Sequence, residues 1–350
     1  MTTIGIGIVG LGGISQAHRV GYNRVPDLAQ IVAVCDRDAA LAASVAEEIG
    51  ARAYTDLQDL LTDPAVAAVD LTLPHDVHYA AASAALASGR HVLIEKPLAV
   101  DTVQCASLIA LAAEQGLTLG VAENTRFVAA YQRVKQAIDD GLIGEPRLAR
   151  TFIYGSEVRR LSDPTLWKGR SKGSGGGTII DSGPHSFYLL RWLLGEFETV
   201  QALSHKLVAA SEVEDHAIVA GRLSSGALYS TEYTFTAEIP WGERLEVYGS
   251  KGSLIVDQMQ DPPVRYFRGA QDHAPEPLEG VAYDPLGWKT TSIADGVIDF
   301  VRALSDSRAP LVAGEDGLFG VLVAERAYAS IAAGGCELPI DAAGVPDGPG

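Results

Sequence analysis

Short apolar runs alternate with helical patterns through the first third of the chain. Apolar runs between turn residues predict strands at residues 4–9, 31–35, 69–73, 92–94 and 117–122, with a further short strand beginning at Tyr54. Apolar residues at helical spacing predict a helix ending at Val20 and others at residues 39–49, 57–61, 79–87 and 102–115. Strands and helices that alternate in this way predict a doubly wound parallel sheet of the Rossmann type.

From Leu148 onwards the pattern changes to alternating apolar and polar positions. Strands are predicted at residues 148–155, 199–208, 215–224, 227–236, 243–249 and 253–257. One helix should interrupt them after the glycines at 175–177 and run to Leu194, with Pro184 in its first turn. Two further helices are predicted at 292–305 and 316–333, and the proline-rich, acidic segment 261–287 is expected to be a surface excursion.

These elements predict an α/β protein of two domains, which is also what a length of 350 residues favours. Residues 1–122 are expected to form a dinucleotide-binding Rossmann domain. Residues 123–340 are expected to form a substrate-binding and oligomerisation α/β domain with a large, mostly antiparallel open sheet. A flexible tail is expected at 341–350.

Composition and charge limit the classes of molecule that the protein is expected to bind. With 47% hydrophobic and 20% charged residues the chain is typical of a globular protein, and its formal net charge of −17 argues against nucleic acid and anionic membranes. The three cysteines, Cys35, Cys105 and Cys336, lack the spacing of metal ligands and are expected to be reduced, packed thiols. Because no secretion signal or membrane span is visible, a cytoplasmic enzyme without a metal is expected.

A glycine-rich turn follows the first predicted strand. Gly10 would permit the tight bend, and Gly12 would let the backbone approach a pyrophosphate. The helix that begins near Gly13 and Ile14 would present its N–H groups to the same phosphates. Ser15 stands where the dinucleotide-binding fingerprint usually has a third glycine or alanine, and a serine is still small enough for helix and strand to pack.

Asp36 lies at the end of the second strand, where the fingerprint expects an acid for the adenosine ribose. Because an aspartate there would repel a 2′-phosphate, NAD is favoured over NADP. Arg37 keeps NADP open, since a guanidinium could also hold that phosphate. A polar strand end without a nucleotide is the alternative interpretation of this pair.

In the stretch from His91 to Leu98, a predicted buried strand is followed directly by a glutamate, a lysine and a proline. Glu95 and Lys96 would stand at the carboxyl edge of the parallel sheet, where such sheets bind ligands. A surface ion pair is the simpler alternative. We also expect a cis peptide bond between Lys96 and Pro97, and we expect the Glu95 side chain to face away from the amine.

Asp181 and His185 are four residues apart in the interrupting helix. On a helix these two side chains share a face, although Asp181 could instead cap the helix.

Several motifs occur in one order along the chain. They are Gly10-x-Gly12, Asp36, Pro74 with His78, Glu95-Lys96-Pro97, Asn124-x-Arg126-Phe127, Gly141-x-Ile143-Gly144-x-Pro146, and Gly175-Gly176-Gly177 with Asp181, Gly183, His185 and Arg191-Trp192. In this order they resemble the Gfo/Idh/MocA family of glucose–fructose oxidoreductase and inositol dehydrogenase, over residues 1 to 335.

The resemblance implies a Rossmann domain that holds NAD(P) and a second domain whose open sheet joins subunits into a homodimer or homotetramer. It implies that Lys96 is the catalytic lysine and that Asp181 and His185 bind substrate and handle protons. Further cofactor contacts are implied at Leu73, Pro74, His78, Glu95, Lys96, Asn124, Trp167 and Lys168. Tyr188 stands where many members have an aspartate, so the polar contacts to substrate differ here.

The function expected from these features is reversible oxidation of a secondary hydroxyl of a sugar, sugar derivative or cyclic polyol. Hydride would go to the nicotinamide, and Lys96 or His185 would take the hydroxyl proton. An NAD-dependent glycoside-cleaving enzyme that uses transient oxidation is one alternative. A non-catalytic nucleotide-sensing protein on the same fold is another.

Overall fold

Within the described residues, 3–271 and 274–341 of the computed structural model, six parallel strands form one sheet. The strands are β1 (Ile4–Val9), β2 (Ala29–Cys35), β3 (Arg52–Tyr54), β4 (Ala68–Leu71), β5 (His91–Ile94) and β6 (Leu119–Val121). Their order is β3-β2-β1-β4-β5-β6, and all five pairings are parallel. The strand order reverses between β1 and β4, so the predicted Rossmann sheet is confirmed.

Five helices connect these strands: α1 (Gly13–Asn23), α2 (Ala39–Ile49), α3 (Leu57–Leu61), α4 (His75–Ala87) and α5 (Thr102–Gln115). The side chain of Asp101 caps α5 by accepting from the N–H of Gln104. The start of α4 differs from the prediction, since this helix begins at His75, four residues before the predicted helix at 79–87. The fixed φ of Pro74 lets it serve as the N-cap, so the helix starts directly after it.

Nine strands in the described part of the chain form the second sheet. They are β7 (Pro146–Tyr154), β8 (Thr199–His205), β9 (His216–Arg222), β10 (Leu228–Thr234), β11 (Gly242–Gly249), β12 (Ser253–Asp257), β13 (Val264–Phe267), β14 (Glu276–Pro277) and β15 (Leu338–Pro339). The order is β14-β13-β12-β11-β7-β10-β9-β8-β15, and only β7 and β10 among these neighbours are parallel. The predicted large, mostly antiparallel sheet is therefore confirmed.

The segment 261–287 is not only the surface excursion that the sequence suggested. Within it, β13 pairs with β12 over four residues and β14 adds two more at the edge of the sheet. The prediction was wrong here because the strands are very short and lie among prolines, which a sheet tolerates at its edge.

The remaining helical elements are a 3₁₀ turn (Thr125–Phe127), α6 (Ala129–Asp139), α7 (Val158–Ser162), α8 (Ser171–Ser174), α9 (Thr178–Leu194), α10 (Trp288–Asp306) and α11 (Gly314–Ala332). Helix α9 is almost completely buried and packs on β7, β9 and β10. Pro184 is its seventh residue, not part of its first turn as predicted. The helix starts earlier because the glycines before Thr178 admit a cap from a distant loop, described below.

The chain divides into two units. The first contains the residues up to Asn124 together with Thr290–Leu318, and the second contains Thr125–Lys289 together with the residues from Phe319 to 341. The return of Thr290–Leu318 to the first unit was not predicted. It brings apolar residues of α10 such as Val297 and Phe300 into the core of the parallel sheet. The limits of 1–122 and 123–340 for the two functional domains stay a prediction. The tail predicted at 341–350 lies outside the described residues except for Asp341.

Two sequence expectations concern cysteines and membranes. Cys35 and Cys105 are buried thiols, but Cys336 is exposed, so the expectation of a packed thiol is wrong there. It lies after the end of α11, where little packs over it. Among the described helices, none has the combination of length and apolar character that a bilayer span requires.

Candidate active site

The carboxyl ends of the parallel strands carry most of the candidate cofactor residues. Gly10 follows β1, Asp36 follows β2, Leu73 and Pro74 follow β4, Lys96 follows β5, and Asn124 follows β6. In a parallel sheet these ends form one edge, which is where open α/β sheets bind ligands. The structure therefore brings these predicted residues to one edge of the first unit.

The turn between β1 and α1 leaves room for a phosphate group. Gly10 has a φ of +88°, and a side chain there would collide with the carbonyl of Thr72. A Cβ on Gly12 or Gly13 would instead meet no atom within 4 Å, so the space in front of α1 is open. The residues present thus fit a dinucleotide whose pyrophosphate faces the N–H groups at the start of α1.

The side chain of Ser15 is buried within this turn. Its hydroxyl donates to the carbonyl of Gly12 at 2.7 Å. The replacement of the usual third glycine by a serine is therefore accommodated by a local hydrogen bond.

Asp36 is held beside the glycine turn by two backbone N–H groups. The N–H of Leu11 donates to Oδ2 at 2.8 Å, and the N–H of Asp38 donates to Oδ1 at 3.0 Å. Arg37 is exposed. The negative charge is fixed next to the nucleotide-binding turn, where it can accept from ribose hydroxyls and oppose a 2′-phosphate.

His78 connects two of the loops at this edge. Its Nδ1 lies 2.7 Å from the carbonyl oxygen of Pro97, and its Nε2 lies 2.9 Å from that of Leu73. Burial lowers the pKa of this imidazole, and the neutral ring donates only one of the two hydrogen bonds. His78 thus ties the loop after β4 to the loop after β5, and a direct contact with the cofactor stays a prediction.

Lys96 leaves the sheet at the end of β5, preceded by a tethered carboxylate. The Lys96–Pro97 peptide bond is cis, which confirms the prediction. Glu95 accepts the backbone N–H of Lys96 on Oε2 at 3.2 Å, and its Oε1 lies 3.0 Å from Nε2 of His18 on α1. The neighbouring candidate Asn124 donates from Nδ2 to the hydroxyl of Ser292 at 2.7 Å.

Sequence reasoning missed His18 and its second partner, Asp70. Nδ1 of His18 lies 2.8 Å from Oδ2 of Asp70, and the Tyr22 hydroxyl donates to the same oxygen at 2.9 Å. Burial alone lowers the pKa of His18, but attraction to Asp70 and hydrogen bonds to Asp70 and Glu95 outweigh it and raise the pKa to about 10. One sequence feature could have revealed the site, because Asp70 is an acid within the otherwise apolar strand β4.

The second unit places its candidate residues on and beside α9. Asp181 and His185 are both buried on this helix. The ammonium of Lys168 lies 3.0 Å from Oδ2 of Asp181 and 3.4 Å from Oε2 of Glu157, above the ring of Phe235. The structure therefore groups Lys168, predicted to contact the cofactor, with the candidate substrate residue Asp181. Asp181 does not cap α9, because the N-cap residue is Gly177.

The cap of α9 comes from Glu214, which sequence reasoning also missed. Its carboxylate accepts the N–H of Gly177 on Oε2 and that of Ile179 on Oε1, both at 3.0 Å, and the Tyr328 hydroxyl on Oε1 at 2.8 Å. A side chain on Gly177 would collide with the carbonyl of Glu214, which explains the glycine. Burial raises the pKa of Glu214, although these hydrogen bonds oppose the shift.

A small cavity lies on the inner side of α9 in the second unit. Its walls are formed by Thr125, Tyr131, Thr151, Ile153, His185, Ser186, Leu189, Glu243 and Arg244. The Tyr131 hydroxyl donates to Glu243 at 3.4 Å. His185 thus stands beside polar groups of β7 and β11. Among the described residues, no three His, Cys, Asp or Glu side chains are arranged to hold a metal ion.

Comparisons with known proteins agree with this geometry. The model of the oxidoreductase family with the NAD-binding Rossmann fold matches residues 4–123, and that of the GFO/IDH/MocA C-terminal domain matches residues 131–255. A 1,5-anhydro-D-fructose reductase of Ensifer adhaerens is 30% identical over 90% of this chain and 92% of its own length. A myo-inositol 2-dehydrogenase of Thermotoga maritima is 27% identical over 93% and 96%.

A solved structure also matches. The WlbA dehydrogenase from Bordetella pertussis, in complex with NADH and UDP-GlcNAcA, has a TM-score of 0.86 and 25% identity over 96% of this chain and 97% of its own. Two family models that together cover most of the chain, and a relative of 30% identity along nearly its whole length, establish the relationship. The chain belongs to the Gfo/Idh/MocA family of NAD-dependent oxidoreductases.

Proposed function

We propose that the protein reversibly oxidises a secondary hydroxyl of a neutral cyclic polyol, sugar or anhydrosugar. The observation that carries this proposal is the set of residues at the carboxyl edge of the parallel sheet. The open turn at Gly12, the fixed carboxylate of Asp36 and the amine of Lys96 all follow strands of that one edge. When NAD is bound, its nicotinamide accepts the hydride or returns it.

In the proposed reaction, side chains of the protein accept and return the proton of the alcohol. As the C–H bond of the alcohol breaks and its electron pair leaves as hydride, the O–H proton passes to Lys96 or His185, and a C=O bond forms. Asp181, fixed by the ammonium of Lys168, accepts a hydroxyl of the substrate or orients His185. In the reverse direction the protonated base returns the proton to the carbonyl oxygen.

The relatives support the substrate class. A 1,5-anhydro-D-fructose reductase and a myo-inositol 2-dehydrogenase both act on small uncharged rings that carry several hydroxyls, as their names state. The charges around Asp181 balance, which suits an uncharged ring. The ammonium of Lys168 pairs with Asp181 and Glu157, and the guanidinium of Arg160 also pairs with Glu157.

A substrate screen tests the proposal. The purified protein is incubated with NAD and each of myo-inositol, aldoses, 1,5-anhydro-D-glucitol and simple glycosides, and with NADH and 1,5-anhydro-D-fructose. The absorbance of the reduced nicotinamide and the release of sugar from the glycosides are followed. Parallel reactions contain NADP or NADPH. We expect turnover of at least one neutral ring, faster with NAD. NAD binding without turnover of any of them, or cleavage of glycosides without NADH accumulation, would contradict the proposal.

We also propose that the protein is a cytoplasmic homo-oligomer assembled through the outer face of the nine-stranded sheet. Four apolar side chains on adjacent strands are exposed there: Leu148 by 41%, Leu203 by 61%, Ile218 by 50% and Leu228 by 51%. Leu203 faces Ile218 across β8 and β9, and Leu148 faces Leu228 across β7 and β10. Exposed apolar side chains that cluster in this way favour a protein partner.

A further inference from the structure

A buried ionic cluster lies beneath the nucleotide-binding edge of the first unit. His18 of α1 stands between Asp70 of β4 and Glu95, with 2.8 Å from Nδ1 to Asp70 and 3.0 Å from Nε2 to Glu95. The side chains of His18 and Asp70 are fully inaccessible to solvent, and that of Glu95 is 12% exposed.

The geometry defines the protonation state of His18. Both ring nitrogens face carboxylate oxygens, and only an imidazolium donates to both at once. The pKa of about 10 agrees with a ring that stays protonated at neutral pH. Tyr22 is the second donor to Asp70, and the charge of Glu95 also acts on His78 of α4.

The cluster joins the nucleotide-binding helix to the residue that precedes Lys96. His18 lies five residues after Gly13, about 7.5 Å along α1 from its open N-terminus. Through His18 this helix holds Oε1 of Glu95, while Oε2 of the same carboxylate accepts the backbone N–H of Lys96. The imidazolium of His18 therefore connects helix α1, which begins at the glycine turn, with the backbone of Lys96 through Glu95.

We propose that His18 is a positioning residue for Lys96, which it places through the carboxylate of Glu95. This inference rests on the proposed function, in which Lys96 handles the proton of the alcohol. A group that is displaced by as little as 1 Å can slow the chemical step by about 100-fold without weakening binding. His18 holds the end of β5 against α1, so that the position of the amine relative to this helix depends on the contact between His18 and Glu95.

The test is the variant His18→Gln, which keeps a hydrogen-bonding side chain but cannot carry the charge. With NAD and the ring substrate found in the screen, we expect kcat to fall by about 10- to 100-fold. The Kd for NAD, measured by quenching of protein fluorescence, and the KM for the substrate should change little. Wild-type kcat in a folded His18→Gln protein would overturn the inference.

A double-mutant cycle with Glu95→Gln shows whether the two residues act through one contact. If they do, His18→Gln/Glu95→Gln is no slower than the slower single variant, whereas losses that multiply would contradict the inference. Tyr22→Phe is the matched control, because it removes a donor to Asp70 and leaves the contact with Glu95. It should lower the melting temperature without lowering kcat.

An NMR measurement on the wild-type protein tests the inference without any variant. A comparison of Lys96→Met with His18→Gln distinguishes failure of the inference from failure of the proposed function. Nitrogen-15 NMR of the wild-type protein near neutral pH should show one imidazolium whose two nitrogens remain protonated in mildly alkaline buffer. A neutral ring at this position, assigned by its loss in His18→Gln or its shift in Glu95→Gln, would overturn the inference. Full turnover in Lys96→Met would end the proposed function, whereas an inactive Lys96→Met with a fully active His18→Gln would end only the inference.

Discussion

The carboxylate of Asp36 has both oxygens occupied by backbone N–H groups of Leu11 and Asp38, which fixes its direction at the nucleotide-binding turn. We predict that Asp36→Ser weakens NAD binding by about tenfold and reduces the preference for NAD over NADP. The reason is that the variant loses a charge-assisted acceptor for the ribose and the repulsion of a 2′-phosphate. Fluorescence titration with each nucleotide measures both effects.

Asp38→Ala is the control for this variant. Asp38 accepts the N–H groups of Ala40 and Leu41 and so caps α2, and its loss should cost about 1 kcal/mol of stability. Nucleotide preference should stay as in the wild type. An unchanged preference in Asp36→Ser as well would show that Asp36 does not select the nucleotide.

The ionic cluster of His18 makes stability depend on pH in the alkaline range. The folded pKa of His18 is about 10, above the ordinary 6.5, so its contribution to stability is complete below pH 6.5 and is lost as the pH rises towards 10. Within that window the loss should approach about 1.4 kcal/mol for each pH unit. Urea unfolding of the wild type and His18→Gln at several pH values measures this, and parallel curves for the two proteins would contradict it.

Helix α9 carries both Asp181 and His185 but has no side-chain cap from its own flanking residues. Glu214 supplies that cap from the loop before β9. We predict that Glu214→Gln lowers the free energy of unfolding by about 1 to 2 kcal/mol, because an amide NH₂ then faces backbone N–H groups and the helix dipole loses its anion. Denaturant unfolding provides the value.

Tyr328→Phe is the matched comparison for Glu214→Gln. It removes only the hydroxyl that donates to Glu214 and leaves the two backbone donors in place, so the loss of stability should be smaller. Equal losses in the two variants would show that capping of α9 is not the main role of Glu214.

Helix α9 shows which features a local sequence pattern can predict and which depend on tertiary packing. The i, i+4 spacing of Asp181 and His185 placed them on one helix, because helical periodicity is local. The cap from Glu214, more than 30 residues away, and the pairing of Asp181 with Lys168 depend on tertiary packing, so no local pattern contained them. Pro184 was assigned to a first turn for the same reason, since the true start of α9 depends on Glu214.

Among the features of the whole molecule, the motifs predicted the nucleotide-binding unit well because glycines and strand ends fix its chemistry locally. The doubly wound parallel sheet followed from repeated βαβ units, but its strand order was not predicted. The return of Thr290–Leu318 to the first unit was not predictable in this way, because an amphipathic helix such as α10 fits either unit by its pattern alone.

The outer face of the nine-stranded sheet carries a prediction about assembly. Leu203→Asp places a charge opposite Ile218 and should shift the molar mass in light scattering from an oligomer to the monomer, because a desolvated charge opposes association. Val103→Asp on α5 is the control, since Val103 is 74% exposed on the first unit and should leave the mass unchanged. A wild-type mass for Leu203→Asp would place the interface elsewhere.

The proposed reaction requires the amine of Lys96 to move the proton of the alcohol, and the variant Lys96→Met removes that amine. This variant keeps the length of the side chain and removes its amine, so the Kd for NAD should stay near that of the wild type while kcat falls by at least about 100-fold. Lys135→Met, at an exposed ion pair of α6, should change neither value. Turnover by Lys96→Met at a rate close to that of the wild type would show that the amine of Lys96 does not move this proton.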